Sequence, residues 1–308
     1  MTPLRLGYLY GLGAYLLWGF FPLYFKLLRP SGPLEILAHR VVWSVVFVAL
    51  LLGALRNVGF LRALLRRPWA LAGIVTAAAL IAVNWGTYIY GVSSERVVET
   101  ALGYFINPLV VVLLGVTVLR ERLRPAQWVA LGIGAAAVAV LAVDYGRPPW
   151  LALTLAFSFA GYGLVKKRLG LPAAEGLFVE SAVLALPALG YLGWLTALGD
   201  LTFGHVSAAH TALLVLAGVA TAIPLLMFAG AANRLPLSGL GMIQYLAPIL
   251  QLACGVLIFH EPMPPARLAG FALVWLALVV FTFDAVRTSR HTRAESRARE
   301  LAVPAPTP

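Results

Sequence analysis

Apolar residues in this chain come in long blocks separated by short polar breaks. A helix rising 1.5 Å per residue needs about 20 apolar residues to cross roughly 30 Å of hydrocarbon. Ten blocks meet that need, at residues 7–28, 34–55, 69–92, 98–119, 126–144, 150–168, 175–196, 208–232, 237–259 and 266–284. Nearly every break holds charges or turn formers, such as Arg29-Pro30-Ser31-Gly32-Pro33, Arg66-Arg67-Pro68 and Gly146-Arg147-Pro148-Pro149. The pattern predicts ten membrane-spanning helices. An outer-membrane barrel would instead alternate polar and apolar residues over about ten-residue segments. The first block is too long for the apolar region of a cleaved signal peptide, and no small-x-small site follows it.

Composition agrees with this reading. Hydrophobic residues make up 61% of the 308 positions and charged residues 11%, against about 25% charged in soluble domains. An ordinary cytosolic enzyme, a disordered chain and a disulfide scaffold are excluded, the last because Cys254 is the only cysteine. The net charge of +11 would suggest nucleic acid in a soluble protein; here it reports topology. With the N-terminus in the cytoplasm, 17 of the 23 basic residues fall on the cytoplasmic side. That asymmetry predicts that both termini are inside.

The chain also matches itself at a constant offset of 140 residues. Pro108 falls on Pro248, Gly115-Val116 on Gly255-Val256, Glu121 on Glu261, and Pro125-Ala126 on Pro265-Ala266. Lys26, Glu35 and Gly53 fall on Lys166, Glu175 and Gly193. Residues 1–144 and 145–284 therefore read as two repeats of five spans each, followed at 285–308 by a basic cytoplasmic tail, expected to be disordered. Five is odd, so the second copy enters the membrane inverted. Inverted repeats around a midplane cavity are an architecture of secondary transporters.

Several stretches resemble RarD-type permeases of the EamA branch of the drug/metabolite transporter superfamily. They are Ala14-Tyr-Leu-Leu-Trp-Gly-Phe-Phe-Pro-Leu-Tyr-Phe-Lys26, Glu35-Ile-Leu-Ala-His-Arg40 with Trp43-Ser44, and Asn84-Trp85 with Tyr88-Ile89-Tyr90. Leu102-Gly-Tyr-Phe-Ile-Asn-Pro-Leu109 and Leu119-Arg-Glu-Arg-Leu-Arg124 are similar too. The resemblance covers about residues 5–285. It implies ten spans in two five-helix repeats, a bacterial inner-membrane location and solute transport. Ser93-Ser94-Glu95 departs from the family pattern, which usually has a small polar residue beside glycine.

Polar groups are costly in hydrocarbon, so they turn toward protein or water. Asn84 and Tyr88 share a helix face beside Trp85, and Tyr104 shares one with Pro108, bordered by Asn107. Gln244 and Pro248, with Tyr245 adjacent, are the corresponding positions in the ninth span. Tyr15, Trp18 and Pro22 correspond to Leu155, Ser158 and Tyr162. The expected solute-binding set is Tyr15, Trp18, Asn84, Trp85, Tyr88, Tyr104, Asn107, Ser158, Tyr162, Gln244 and Tyr245. For the amides a helix–helix hydrogen bond is the rival role. Pro22, Pro108 and Pro248 are expected kinks. His39, Arg40 and Glu180 are the charge or gating candidates. Arg40 either snorkels as a structural residue, pairs with Glu35 or Glu99, or meets a substrate anion. Glu121 and Glu261 are expected to cap and pair at short interhelical turns.

No acid lies at the middle of a span, which favours a neutral or zwitterionic solute over proton-driven exchange of cations. The expected function is an inner-membrane carrier moving a small metabolite or amphipathic drug-like solute by alternating access. The partners are that solute and the lipid bilayer, with no nucleic acid, cofactor or metal. The alternatives are an intramembrane enzyme, or a channel or scaffold without carrier activity. H-E-x-x-H, G-x-S-x-G and the phosphate-binding G-x-x-x-x-G-K-[ST] are all missing, which disfavours the enzyme. The sequence sets no oligomeric state.

Overall fold

Proline at the first helical position explains where many of the helices begin. There its missing N–H is one that no intrahelical acceptor would meet, and its fixed φ suits the turn. The computed structural model describes residues 2–56, 59–60, 64, 68–120, 122–235 and 237–302. Pro3, Pro33, Pro68, Pro125 and Pro265 open α1 (Pro3–Gly19), α3 (Pro33–Ala54), α4 (Pro68–Ser93), α6 (Pro125–Asp144) and α12 (Pro265–Ala302). Between them lie α2 (Phe21–Leu27), α5 (Val97–Leu119), α7 (Trp150–Leu169), α8 (Ala173–Leu198), α9 (Ala208–Ala232), α10 (Leu237–Ile243) and α11 (Leu246–Ala253). Helices α7 and α8 stop at Gly170 and Gly199, both in the left-handed region that favours glycine. No strand occurs among the described residues.

Seven helices among the described residues are long and apolar enough to cross a membrane, and eight if the bent pair α1–α2 is one span. The ten sequence blocks divide differently for local reasons. The first block bends by 43° between Gly19 and Phe21, where Pro22 enters the first turn of α2. The sixth yields a shorter apolar helix, Trp150–Lys166, and the ninth another, Leu246–Ile258. The ninth block is broken at Gln244-Tyr245, and α11 runs into a π-helical turn at Cys254–Ile258. Helix α12 continues past the last apolar stretch to Ala302.

The chain divides into two compact units. One comprises residues 1–111 and 149–263, the other 112–148 and 264–308. In the first unit α3 packs on α8 and α9, α4 on α7 and α8, and α1 on α9 and α11. The α3–α9 contact is unusually close at Gly218, where a Cβ would stand 2.2 Å from the carbonyl carbon of Trp43. In the second unit α6 packs along α12. An ion pair closes each end of that hairpin: Arg267 Nε donates to Asp144 Oδ2 at 2.9 Å, and Arg124 Nε to Asp284 Oδ2 at 2.8 Å.

Candidate functional site

The first unit encloses a cavity of about 450 Å³. Aromatic rings form much of its wall. Tyr15, Trp18 and Phe228 pack mutually with centroids 5.3–6.0 Å apart. A second run passes from Tyr88 to Tyr104 at 5.7 Å, then to Phe159 and Tyr162, each step 6.2 Å. Such a wall offers a large apolar contact area, while a few polar groups set orientation.

Of the expected solute-binding set, Tyr15, Trp18, Asn84, Trp85, Tyr88, Tyr104, Asn107, Tyr162, Gln244 and Tyr245 line this cavity. Ser158 does not. It stands behind the wall, accepting from Asn84 Nδ2 at 3.1 Å and donating to the Thr154 carbonyl at 2.6 Å. Asn84 Nδ2 also donates to the Leu155 carbonyl at 3.0 Å, and its Oδ1 accepts from the Tyr104 hydroxyl at 3.2 Å. The Asn84 amide thus ties α4 to α7 and fixes Tyr104 on the wall. Pro108 and Pro248 line the cavity, whereas Pro22 lies at the α1–α2 bend outside it.

Two cations reach the cavity by different routes. Lys166 Nζ bonds to Glu180 Oε1 at 2.9 Å, and the Tyr162 hydroxyl donates to Glu180 Oε2 at 2.9 Å. Glu180 is buried behind Lys166 and Tyr162 and does not line the cavity. Gly176 makes room for the ammonium, since a Cβ there would lie 2.4 Å from Nζ. Arg40 is only 4% exposed. Its Nε donates to Thr221 Oγ1 at 2.7 Å, and its guanidinium sits 4.1 Å from the Trp85 ring centroid. The Thr221 hydroxyl proton is spent on the Ala217 carbonyl at 2.8 Å, so the hydroxyl oxygen presents a lone pair to Arg40.

Arg40 pairs with neither expected acid. Glu35 Oε1 accepts from the Thr202 amide at 2.9 Å and the Thr202 hydroxyl at 2.8 Å, with His39 Nε2 at 4.0 Å. Glu99 Oε2 accepts from Arg96 Nη2 at 2.6 Å. His39 stacks on Phe203 at 4.7 Å and does not line the cavity. Glu261 caps a helix far from it in sequence: its two oxygens accept from the Val97 and Val98 amides, at 2.6 and 2.8 Å, at the start of α5. Carboxylates are favoured at such N-termini. Glu121 lies outside the described residues. Among the described residues no group of three or more His, Cys, Asp or Glu side chains is placed to hold a metal ion.

Sequence reasoning missed Lys166, Phe21, Phe159 and Phe228 as lining residues. Lys166 looked like one of three consecutive cytoplasmic charges. A phenylalanine carries no sequence mark of which way it faces. Gln251 was not missed: it shares the ninth-span face of Gln244 and Pro248 that the sequence points to, it lines the cavity, and its amide donates to the Trp18 carbonyl at 3.1 Å.

Comparison with known proteins fits this architecture. A model of the EamA-like transporter family matches residues 5–143. Protein RarD of Streptomyces exfoliatus is 57% identical over 99% of this chain and 98% of its own. The uncharacterized transporter YojE of Bacillus subtilis (strain 168) is 43% identical over 94% of this chain and 97% of its own. A crystal structure 22% identical in sequence shares the fold, with a TM-score of 0.54 over 89% of this chain and 96% of that one. Full-length identity at this level, on a multi-pass helical chain, means that this protein is a membrane transporter and belongs to the EamA family as a RarD-type permease.

Proposed function

We propose that the protein is a carrier of the bacterial inner membrane, with both termini cytoplasmic, that binds a small amphipathic metabolite or drug-like solute in the 450 Å³ cavity and moves it by alternating access. Its working parts are two inverted five-helix repeats, residues 1–144 and 145–284. One observation carries the reading: positions 140 residues apart meet on the wall of a single cavity. Trp85 and Leu225, Tyr88 and Phe228, Tyr104 and Gln244, Asn107 and Ala247, and Pro108 and Pro248 are five such pairs. A pseudo-two-fold axis through a central site has this consequence. Ten spans are reached when the bent pair and the two shorter apolar helices join the seven long ones. Tyr15, Trp18, Asn107, Tyr162, Gln244 and Tyr245 are the proposed solute contacts, and Asn84 and Ser158 brace the wall. The charge at Arg40 orients the solute, while Glu180 holds Lys166.

Purified protein in sealed liposomes tests the proposal. Counterflow that saturates with solute concentration, for some member of a panel of amphipathic metabolites and drugs, is the expected result. Ion conductance without saturable exchange would make it a channel, and chemical conversion of the solute an enzyme; either refutes the carrier.

A further inference from the structure

The two cations of the cavity differ in electrostatic standing. Lys166 is neutralised by Glu180 at 2.9 Å. Arg40, only 4% exposed, has no ion-pair partner among the described residues; the two acids expected to meet it, Glu35 and Glu99, are engaged by Thr202, His39 and Arg96. A buried cation without a counter-ion is costly in a water-poor site. The protein supplies only partial relief, chiefly a hydroxyl oxygen and the Trp85 ring face, with the Phe21 and Phe25 rings farther off at 5.6 and 5.8 Å.

Those two contacts also fix the direction of what remains. Stacking on Trp85, 4.1 Å away, occupies the face of the guanidinium, and Thr221 occupies Nε. The terminal nitrogens Nη1 and Nη2 donate to no described atom, and Arg40 lines the cavity. The open edge is therefore a planar pair of N–H donors, the arrangement that matches a carboxylate through two parallel bonds. One uncompensated positive charge is balanced by a monoanion rather than a dianion. The surrounding rings suit an apolar body.

From this geometry we infer that the transported solute is an organic monoanion, a carboxylate on an aromatic or apolar body, held through its carboxylate by the Nη edge of Arg40. The inference rests on the reading of this cavity as the solute site. It replaces the neutral or zwitterionic solute that the lack of mid-span acids alone suggests.

The test uses detergent-purified full-length protein and matched pairs with the same body: phenylacetate with phenylacetamide, and cinnamate with cinnamamide, plus phenyl phosphate as the dianion. Binding to the folded state raises the melting temperature. The expected result is that the carboxylate acts at roughly tenfold or more lower concentration than its amide, as for sites built around one polar group. Phenyl phosphate should act no better than the carboxylates. Arg40→Gln should erase the preference, and Arg40→Lys should reduce it, because lysine keeps the charge and loses the fork. The wild-type comparison stands alone if Arg40→Gln does not fold. Absence of a carboxylate preference in every pair, its persistence in Arg40→Gln, or a stronger response to the dianion overturns the inference. Flux in liposomes separates the two proposals. Arg40-dependent carboxylate binding without saturable flux upholds the anion site and refutes the carrier. Saturable flux of amides and acids alike refutes the anion site and leaves the carrier standing.

Discussion

Gly218 is where a single methyl group should do the most damage at the least chemical distance. Its missing side chain lets α9 touch the α3 backbone. A Cβ at that position would stand 2.2 Å from the Trp43 carbonyl carbon, 2.5 Å from its oxygen and 2.6 Å from the Ser44 nitrogen. Carbon–carbon contact settles near about 3.5 Å, so Gly218→Ala demands that the helices part by about 1.3 Å there. All three obstacles are backbone, and no rotamer change relieves them. One turn along α9, Thr221 holds Arg40 through a 2.7 Å bond. An opening of about 1 Å stretches that 2.7 Å bond beyond the roughly 3.2 Å reach of an N–H···O bond and releases the guanidinium. Overpacking costs about 1–3 kcal/mol, and alanine recovers at most about 1 kcal/mol through helix propensity. The prediction is a net loss of up to about 2 kcal/mol in thermal denaturation and weaker solute binding. Gly190→Ala on α8 is the control, because nothing lies within 4 Å of its Cβ position; it should melt no lower than wild type. Equal melting temperatures and equal affinities for Gly218→Ala and wild type would refute the reasoning.

Three further outcomes are expected. Asn84→Ala removes two donated bonds and one accepted bond between helices and should cost about 1–3 kcal/mol, read as a lower midpoint in a denaturation curve. Glu261→Ala uncaps the Val97 and Val98 amides and should cost about 1–2 kcal/mol, with faster hydrogen exchange confined to the first turn of α5. Lys26 and Arg29 hold the exposed Glu95 carboxyl below its ordinary value of 4.5. A depressed folded-state value means that stabilisation is present above the ordinary value and is lost as pH falls through the folded one. Melting curves of wild type and Glu95→Gln should therefore differ slightly near neutral pH and converge in acid; a gap that widens in acid contradicts the assignment.

The membrane character of the chain was legible because the bilayer imposes a length on apolar runs, and blocks such as 34–55 and 208–232 meet it without ambiguity. The division of the ninth block was not, since Gln244-Tyr245 and the π turn at Cys254–Ile258 arise from backbone packing rather than hydropathy. Asn84, Tyr88 and Tyr104 stood out because a polar atom in hydrocarbon is expensive. Phe159 and Phe228 could not, because a phenylalanine is equally apolar facing lipid, protein or cavity. The bond between Arg40 and Thr221 joins residues 181 apart, and no local spacing encodes it. Threonine at position 221 back-bonds to Ala217, as helical threonines commonly do, which hid its second role. Lys166 is one of three consecutive charges, Lys166-Lys167-Arg168, and no local spacing marks it as the one whose ammonium reaches Glu180.

The hairpin of α6 and α12 has a consequence for how the protein is made. Its two strands of chain are separated by the 120 residues between Asp144 and Pro265. At roughly 5–20 residues per second, α6 leaves the ribosome about 6–24 s before its partner can arrive. During that interval the face carrying Ala130, Gly134, Ala137 and Leu141, buried in the finished protein, lacks the α12 partner it packs along. Asp144 waits for Arg267, 123 residues later, and Arg124 longer still for Asp284, 160 residues later, so the pair assembles late, and the order of synthesis makes α12 the element that locks α6 in place.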